Sequence, residues 1–206
     1  RVAALCERIA KAAGMCAYDV ELAWLSGMLH DVGRFEQIKR YNTFSDADSV
    51  DHAKFGADLL FKDGLISTFL NGMVKCTGYK PGALEDRYSS DGVFLYDRLN
   101  KSDMEMLELA IRCHNMYRIP QGLNRREQAF CNVLRDADKV DIFKVNIDTP
   151  LEEIYNTTTE ELMKSDITDE VLEAFDEEHC ILKAIRRTPA DTVIGHVSLA
   201  FELVCD

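Results

Sequence analysis

Proline is scarce in this chain, 4 among 206 residues, and glycine at 11 stays within ordinary globular usage, which excludes a collagen-like repeat and a proline-rich disordered segment. No apolar run approaches the ~20 residues needed to span a bilayer, so no membrane partner is expected. Basic residues are in deficit as well: 24 Lys and Arg face 36 Asp and Glu, a formal net charge of -12. An excess of that sign repels a phosphate backbone and argues against nonspecific nucleic-acid binding. The seven cysteines, at 6, 16, 76, 113, 131, 180 and 205, show no zinc-ribbon or redox-pair spacing. They read as small hydrophobes kept reduced. Glu7, Arg8 and Lys11 interrupt any signal-like apolar run at the start, and a cytoplasmic protein is expected.

What is present is helical period. Val2, Leu5, Ile9 and Ala12 or Ala13 recur at three- and four-residue spacing, with Gly14 as the stop. Asp19 is expected to cap a second helix carrying Leu22, Trp24, Leu25, Met28 and Leu29, and the cluster Asp46 to Ser49 a third, with Ala53, Ala57, Leu60 and Phe61 inward and Gly64 stopping it. Residues 74–101 lose the period and read as a loop excursion at the mouth of the site. Ser102 with Glu105 forms a capping box for a helix closed by Pro120, and Asn124 with Glu127 repeats that logic for a helix through Phe130, Val133, Leu134 and Ala137. Pro189 opens a last helix striped by Val193, Ile194, Val197, Phe201 and Val204. Strand-like alternation is rare and no internal repeat is evident, so the class is all-α. One domain over residues 1–206 is expected, with a core to about 145 and a helical extension from about 146.

The chemistry-bearing residues are His and Asp at helix ends or on apolar stripes. His30 and Asp31 are adjacent, about 100° apart on an ideal helix, and reach one ion only where the helix is ending; Gly33 supplies such an ending. His52 follows on a separate helix, His114 faces inward with Met106 and Ala110, and Asp136 flanks the stripe of Val133 and Val140. Three imidazoles and two carboxylates aimed at one interior are costly unless a cation or hydrogen bonds compensate them. Weaker candidates are His179-Cys180 beside Glu177-Glu178, read as a solvated face, and His196, read as structural.

The segment Leu29-His30-Asp31-Val32-Gly33-Arg34, with His52, His114 and the run Arg135-Asp136-Ala137-Asp138-Lys139, resembles the HD-domain metal-dependent phosphohydrolase superfamily. The run from Arg34 through Tyr41, followed by Asp51-His52, is similar to a group of bacterial HD proteins. The resemblance implies a helical-bundle fold in which His30, Asp31 and Asp136 ligate a first metal, Asp31 can bridge, and His52 and His114 ligate a second. On that expectation Asp31 is also the catalytic carboxylate, holding the attacking water, and Arg34 and Lys139 would offer positive charge to a phosphoryl group. Family members carry a further His before the doublet. No His precedes His30 here, and that ligand is expected upstream of Arg1.

The implied cofactor is one or two divalent ions, Mn, Fe, Co, Ni, Zn or Mg, with imidazole donors favouring the transition metals over Mg. The expected function is hydrolysis of a phosphoester of a small metabolite or nucleotide. A noncatalytic helical module that keeps the fold is the alternative.

Overall fold

The structure is a computed structural model and describes residues 1–76, 99–155 and 157–205. The described residues are all-α, with no strand among them. They divide into two compact units, Val2–Leu134 and Arg1 with Arg135–Asp206.

In the first unit, α1 (Val2–Ala12) turns its buried face, Val2, Ala3, Cys6 and Ala10, onto α2 (Ala17–Leu29). Gly14, at φ +70°, ends the first helix as its left-handed stop. α2 is buried on most of its circumference, through Val20, Leu22, Ala23, Leu25, Ser26, Gly27 and Leu29, whereas Met28, expected inward, is 56% exposed. α3 (Val32–Tyr41), α4 (His52–Ala57, continued by a π-helical turn Asp58–Lys62), α5 (Leu65–Cys76) and α6 (Lys101–Cys113) follow. α4 packs against both α3 and α6, and α2 also touches α6. Leu22, Leu25, Leu60, Leu107, Ile111, Phe130 and Leu134 are sealed from solvent, each contributing about 1.5–3 kcal/mol of hydrophobic burial.

α7 (Arg125–Asp148) crosses the division between the units. In the second unit, α8 (Leu151–Tyr155), α9 (Thr159–Met163) and α10 (Asp169–Asp176) each contact α11 (Pro189–Val197). Asp191 on α11 is buried and accepts from the backbone N–H of Thr168, Arg187 and Thr188, tying the start of α10 to the start of α11.

Several local expectations are corrected. Cys16, not Asp19, precedes α2; Asp19 lies in its first turn and pairs with Arg126 at 2.6 Å. Gly33 does not end α2. That helix stops at Leu29, and Gly33 falls in the first turn of α3, where an added Cβ would come within 2.2 Å of the His52 carbonyl and 2.7 Å of the Gly56 nitrogen. α4 is capped by Asp51, whose side chain accepts from Lys54 N–H, rather than by the cluster before it. The capping box of α6 is Asn100 with Asp103, two residues earlier than Ser102 and Glu105, and α6 ends at Cys113, well before Pro120. The box of Asn124 and Glu127 is present. α11 stops at Val197 and gives way to a 3-10 segment Ser198–Glu202, burying Asp191, Gly195 and Ser198 while Val197 and Val204 stay exposed. Of the excursion over 74–101, residues 77–98 lie outside the described residues; 74–76 belong to α5 and Lys101 opens α6.

Candidate metal centre

Three helix ends meet in the first unit. His30 follows the last residue of α2, His114 follows the last residue of α6, and His52 is the first residue of α4. A helix C-terminus leaves carbonyls without intrahelical donors. His30 Nδ1 donates to the Gly27 carbonyl at 2.8 Å and His114 Nδ1 to the Ile111 carbonyl at 2.7 Å, each ring bonding three residues back. A carbonyl only accepts, so in both rings Nδ1 carries a proton, and Nε2 presents a lone pair whenever the ring is neutral. His52 reaches the same state differently, since its Nδ1 lies 2.7 Å from the Asp46 carboxylate.

The three Nε2 atoms surround Asp31. Its Oδ2 lies 3.3 Å from His30 Nε2, and its Oδ1 lies 3.4 Å from His52 Nε2 and 3.8 Å from His114 Nε2. His52 Nε2 and His114 Nε2 are 3.1 Å apart, and the His114 ring stands edge-on to the other two at 5.1 and 5.0 Å between centroids. All three imidazoles are buried, whereas the Asp31 side chain is 46% exposed and is the member of the set open to solvent. Burial opposes ionisation of Asp31. When the rings are protonated, the hydrogen bond and charge of His30, with the charges of His114 and His52, outweigh it and hold the carboxyl well below its ordinary range.

The donor set fits a divalent cation. Ring nitrogens with their opposite N–H fixed by an oxygen are the arrangement in which imidazole ligates, and His30, Asp31 and His114 offer ligand atoms within 4.8 Å of one another. Nε2 atoms this close to each other repel unless positive charge, from protons or from a metal, lies among them.

A second grouping, Asp46, Asp51 and His52, has similar spacing but does not fit an ion. Asp46 Oδ1 accepts from Arg34 Nη1 at 2.9 Å and Gln37 Nε2 at 3.0 Å, and its Oδ2 from His52 and from Asn115 Nδ2 at 3.4 Å. Asp51 accepts from Asn115 at 3.0 Å and pairs with Lys54 at 2.9 Å. Burial raises the Asp51 carboxyl, but the Lys54 ammonium, the Lys54 backbone N–H and Asn115 bring it down to about 2. For Asp46, burial is outweighed by Gln37, His52 and Arg34, and its carboxyl too lies below the usual range. These carboxylates already have their positive charge.

Arg34 is engaged through Nη1 with Gln37, the Phe44 carbonyl and Asp46, and its Nε lies 3.8 Å from Asp31 Oδ1. Asp136 and Lys139 belong to the second unit. Both are buried there: Asp136 Oδ2 accepts from Val204 N–H at 2.9 Å and Cys205 N–H at 2.7 Å, its Oδ1 has no hydrogen-bond partner among the described residues, and Lys139 Nζ donates to the Glu202 carbonyl at 2.7 Å. Burial, followed by the charge of Arg135, pushes the Lys139 ammonium below its usual range. Glu177, Glu178 and His179 are exposed.

A model of the HD-domain family matches residues 1–143. The chain belongs to the HD-domain family. No curated protein and no solved structure matches it. The HD-domain assignment suggests the metal-dependent phosphohydrolase superfamily, and the cluster of His30, Asp31 and His114 is a candidate divalent-metal site in this HD domain. Among the described residues no helix is long and apolar enough to cross a membrane.

Sequence reasoning missed Asp46, Gln37 and Asn115. Gln37 carried the one usable signal, a polar residue one turn beyond Arg34 on α3 that turns out fully buried.

Proposed function

We propose that this HD-domain chain hydrolyses a phosphoester of a small metabolite or nucleotide. The observation that supports it is the convergence of three Nε2 atoms, each with its Nδ1 proton held by an oxygen, on one ionised and half-exposed carboxylate. A divalent ion bound there supplies Lewis-acid charge and brings the pKa of water to about 7. His30, Asp31, His52 and His114 hold the ligand atoms in place, and Asp31 orients the attacking water through whichever oxygen is turned to solvent. Arg34, whose guanidinium has five N–H donors, supports the phosphoryl oxygens with those that Gln37, Phe44 and Asp46 leave. The parts that Asp136 and Lys139 take in this reading rest on the resemblance alone.

The test is a turnover screen of the full chain over nucleotides and sugar phosphates with Mn, Co, Ni, Zn and Mg. Asp31→Ala is expected to lose metal binding and more than about 100-fold in turnover, beyond what loss of an outer partner costs, with helical content unchanged by circular dichroism. Undiminished turnover in that variant defeats the assignment of Asp31. Metal uptake without turnover on any substrate favours the noncatalytic module.

A further inference from the structure

His52 differs from the other two histidines in one physical respect. His30 and His114 follow helix C-termini, where their own helices supply a carbonyl three residues back. His52 opens α4. A helix N-terminus presents N–H donors and no spare carbonyl, so this imidazole has no acceptor in its own helix. Its acceptor comes from the segment between α3 and α4.

We infer that Asp46 is the positioning residue of the centre, fixing the His52 ring so that Nδ1 carries the proton and Nε2 faces Asp31 and His114. The inference rests on the metal-centre reading above. The carboxylate is held on both oxygens. Arg34 and Gln37, on consecutive turns of α3, grip Oδ1 at 2.9 and 3.0 Å, while His52 and Asn115 share Oδ2 at 2.7 and 3.4 Å. Gln37 is fully buried, and its Nε2 also lies 2.8 Å from Ser49 Oγ and 3.0 Å from the Val50 carbonyl, so the whole approach to α4 is pinned to α3. Arg34 Nη1 further holds the Phe44 carbonyl at 2.7 Å. Asn115, immediately after His114, bonds both Asp46 and Asp51. Asp46 therefore links the histidine of α4 to the end of α6 that carries the facing histidine. An acceptor-only group at this position excludes the other tautomer, because Nδ1 without a proton would set a lone pair against a carboxylate at 2.7 Å.

The experiment is nitrogen-15 NMR of the His52 ring with cobalt(II) titration of the full chain. In the metal-free wild type His52 is expected as the Nδ1–H form, and an Nε2–H ring overturns the inference without any variant. Asp46→Asn can turn its amide N–H toward Nδ1; it is expected to shift the ring toward Nε2–H and to weaken cobalt binding about 10- to 100-fold, the usual effect of removing an outer partner of a ligating histidine. Ser49→Ala removes a bond of the same segment without touching Asp46 and is expected to leave tautomer and affinity unchanged. Equal losses in Ser49→Ala and Asp46→Asn reduce Asp46 to segment packing. A wild type that takes up no cobalt defeats the metal-centre reading, while the metal-free tautomer still decides the role of Asp46.

Discussion

His52 and His114 meet through their Nε2 atoms at 3.1 Å, although each ring has its Nδ1 at 2.7 Å from an oxygen. A proton is held on the far side of each ring, so with both rings neutral two acceptors face each other across the centre. Asp31 divides its oxygens over the same space, Oδ2 toward His30 and Oδ1 toward His52 and His114. Asp31 would offer one oxygen to each ion if the centre held two. Elemental analysis of the metal-saturated full chain is expected to return about two ions per chain, and His52→Ala is expected to remove one and spare the other. A single ion, unaltered by His52→Ala, would reassign His52 and His114 to contacts with substrate or water.

The position of His52 depends on a contact that no side chain makes. α3 and α4 cross where Gly33 faces Gly56, and a Cβ on Gly33 would meet the His52 carbonyl at 2.2 Å and the Gly56 nitrogen at 2.7 Å. Both atoms are backbone and cannot swing away. Gly33→Ala is expected to cost about 1–3 kcal/mol in chemical denaturation, as overpacking does, and to weaken metal binding because the start of α4 moves. A variant with wild-type stability and affinity would show that α3 and α4 separate freely.

The helical class was legible because period is a local property, and the match over residues 1–143 agrees with it. His30, Asp31, His52 and His114 stood out as polar residues at helix ends or on apolar stripes, and the structure brings the three Nε2 atoms within 3.8 Å of Asp31. Gly33 was legible as special but for the wrong reason: a sequence shows that a side chain is missing, not that a crossing helix needs the room. Asp46 was legible only as one of several equivalent caps. Asp51 takes the cap instead because α4, packed against α3 and α6, begins at His52. The stripe expected for the last helix failed for a similar reason. Arg186 lies over Gly195, 2.2 Å from where its Cβ would be, so the buried face of α11 follows the glycine instead of the valines.

Asp103, fully buried at the start of α6, accepts from Tyr18 Oη and Arg126 Nη1, both at 2.7 Å, and Arg126 also reaches Asp19 at 2.6 Å. Arg126→Ala is expected to cost about 1–3 kcal/mol in urea unfolding, because a buried carboxylate loses a charged donor. Asp19→Ala leaves Asp103 fully bonded and is expected to cost less. The reverse order would mean that Asp103 draws its balance from Tyr18 and the Asn100 backbone alone.

In the second unit His196 lies beside Tyr155 and Asn146, its Nδ1 at 3.0 Å from Tyr155 Oη. Burial, then the charges of Arg186 and Lys183, push its pKa from 6.5 down to about 4. An unfolded chain binds this proton near pH 6.5 and the folded one only near pH 4, so between those values the unfolded state holds more protons and acidification favours unfolding. The contribution is complete above pH 6.5, declines as pH falls through the window, and is constant below pH 4. Carboxylates titrate in the same range, so the difference between wild type and His196→Gln isolates the histidine. That difference is expected to change by up to about 1.4 kcal/mol per pH unit inside the window, the limit for one proton, and to be flat from pH 7 upward. A difference that stays constant from pH 7 to 4 would show that His196 takes its proton in the folded chain as readily as in the unfolded one.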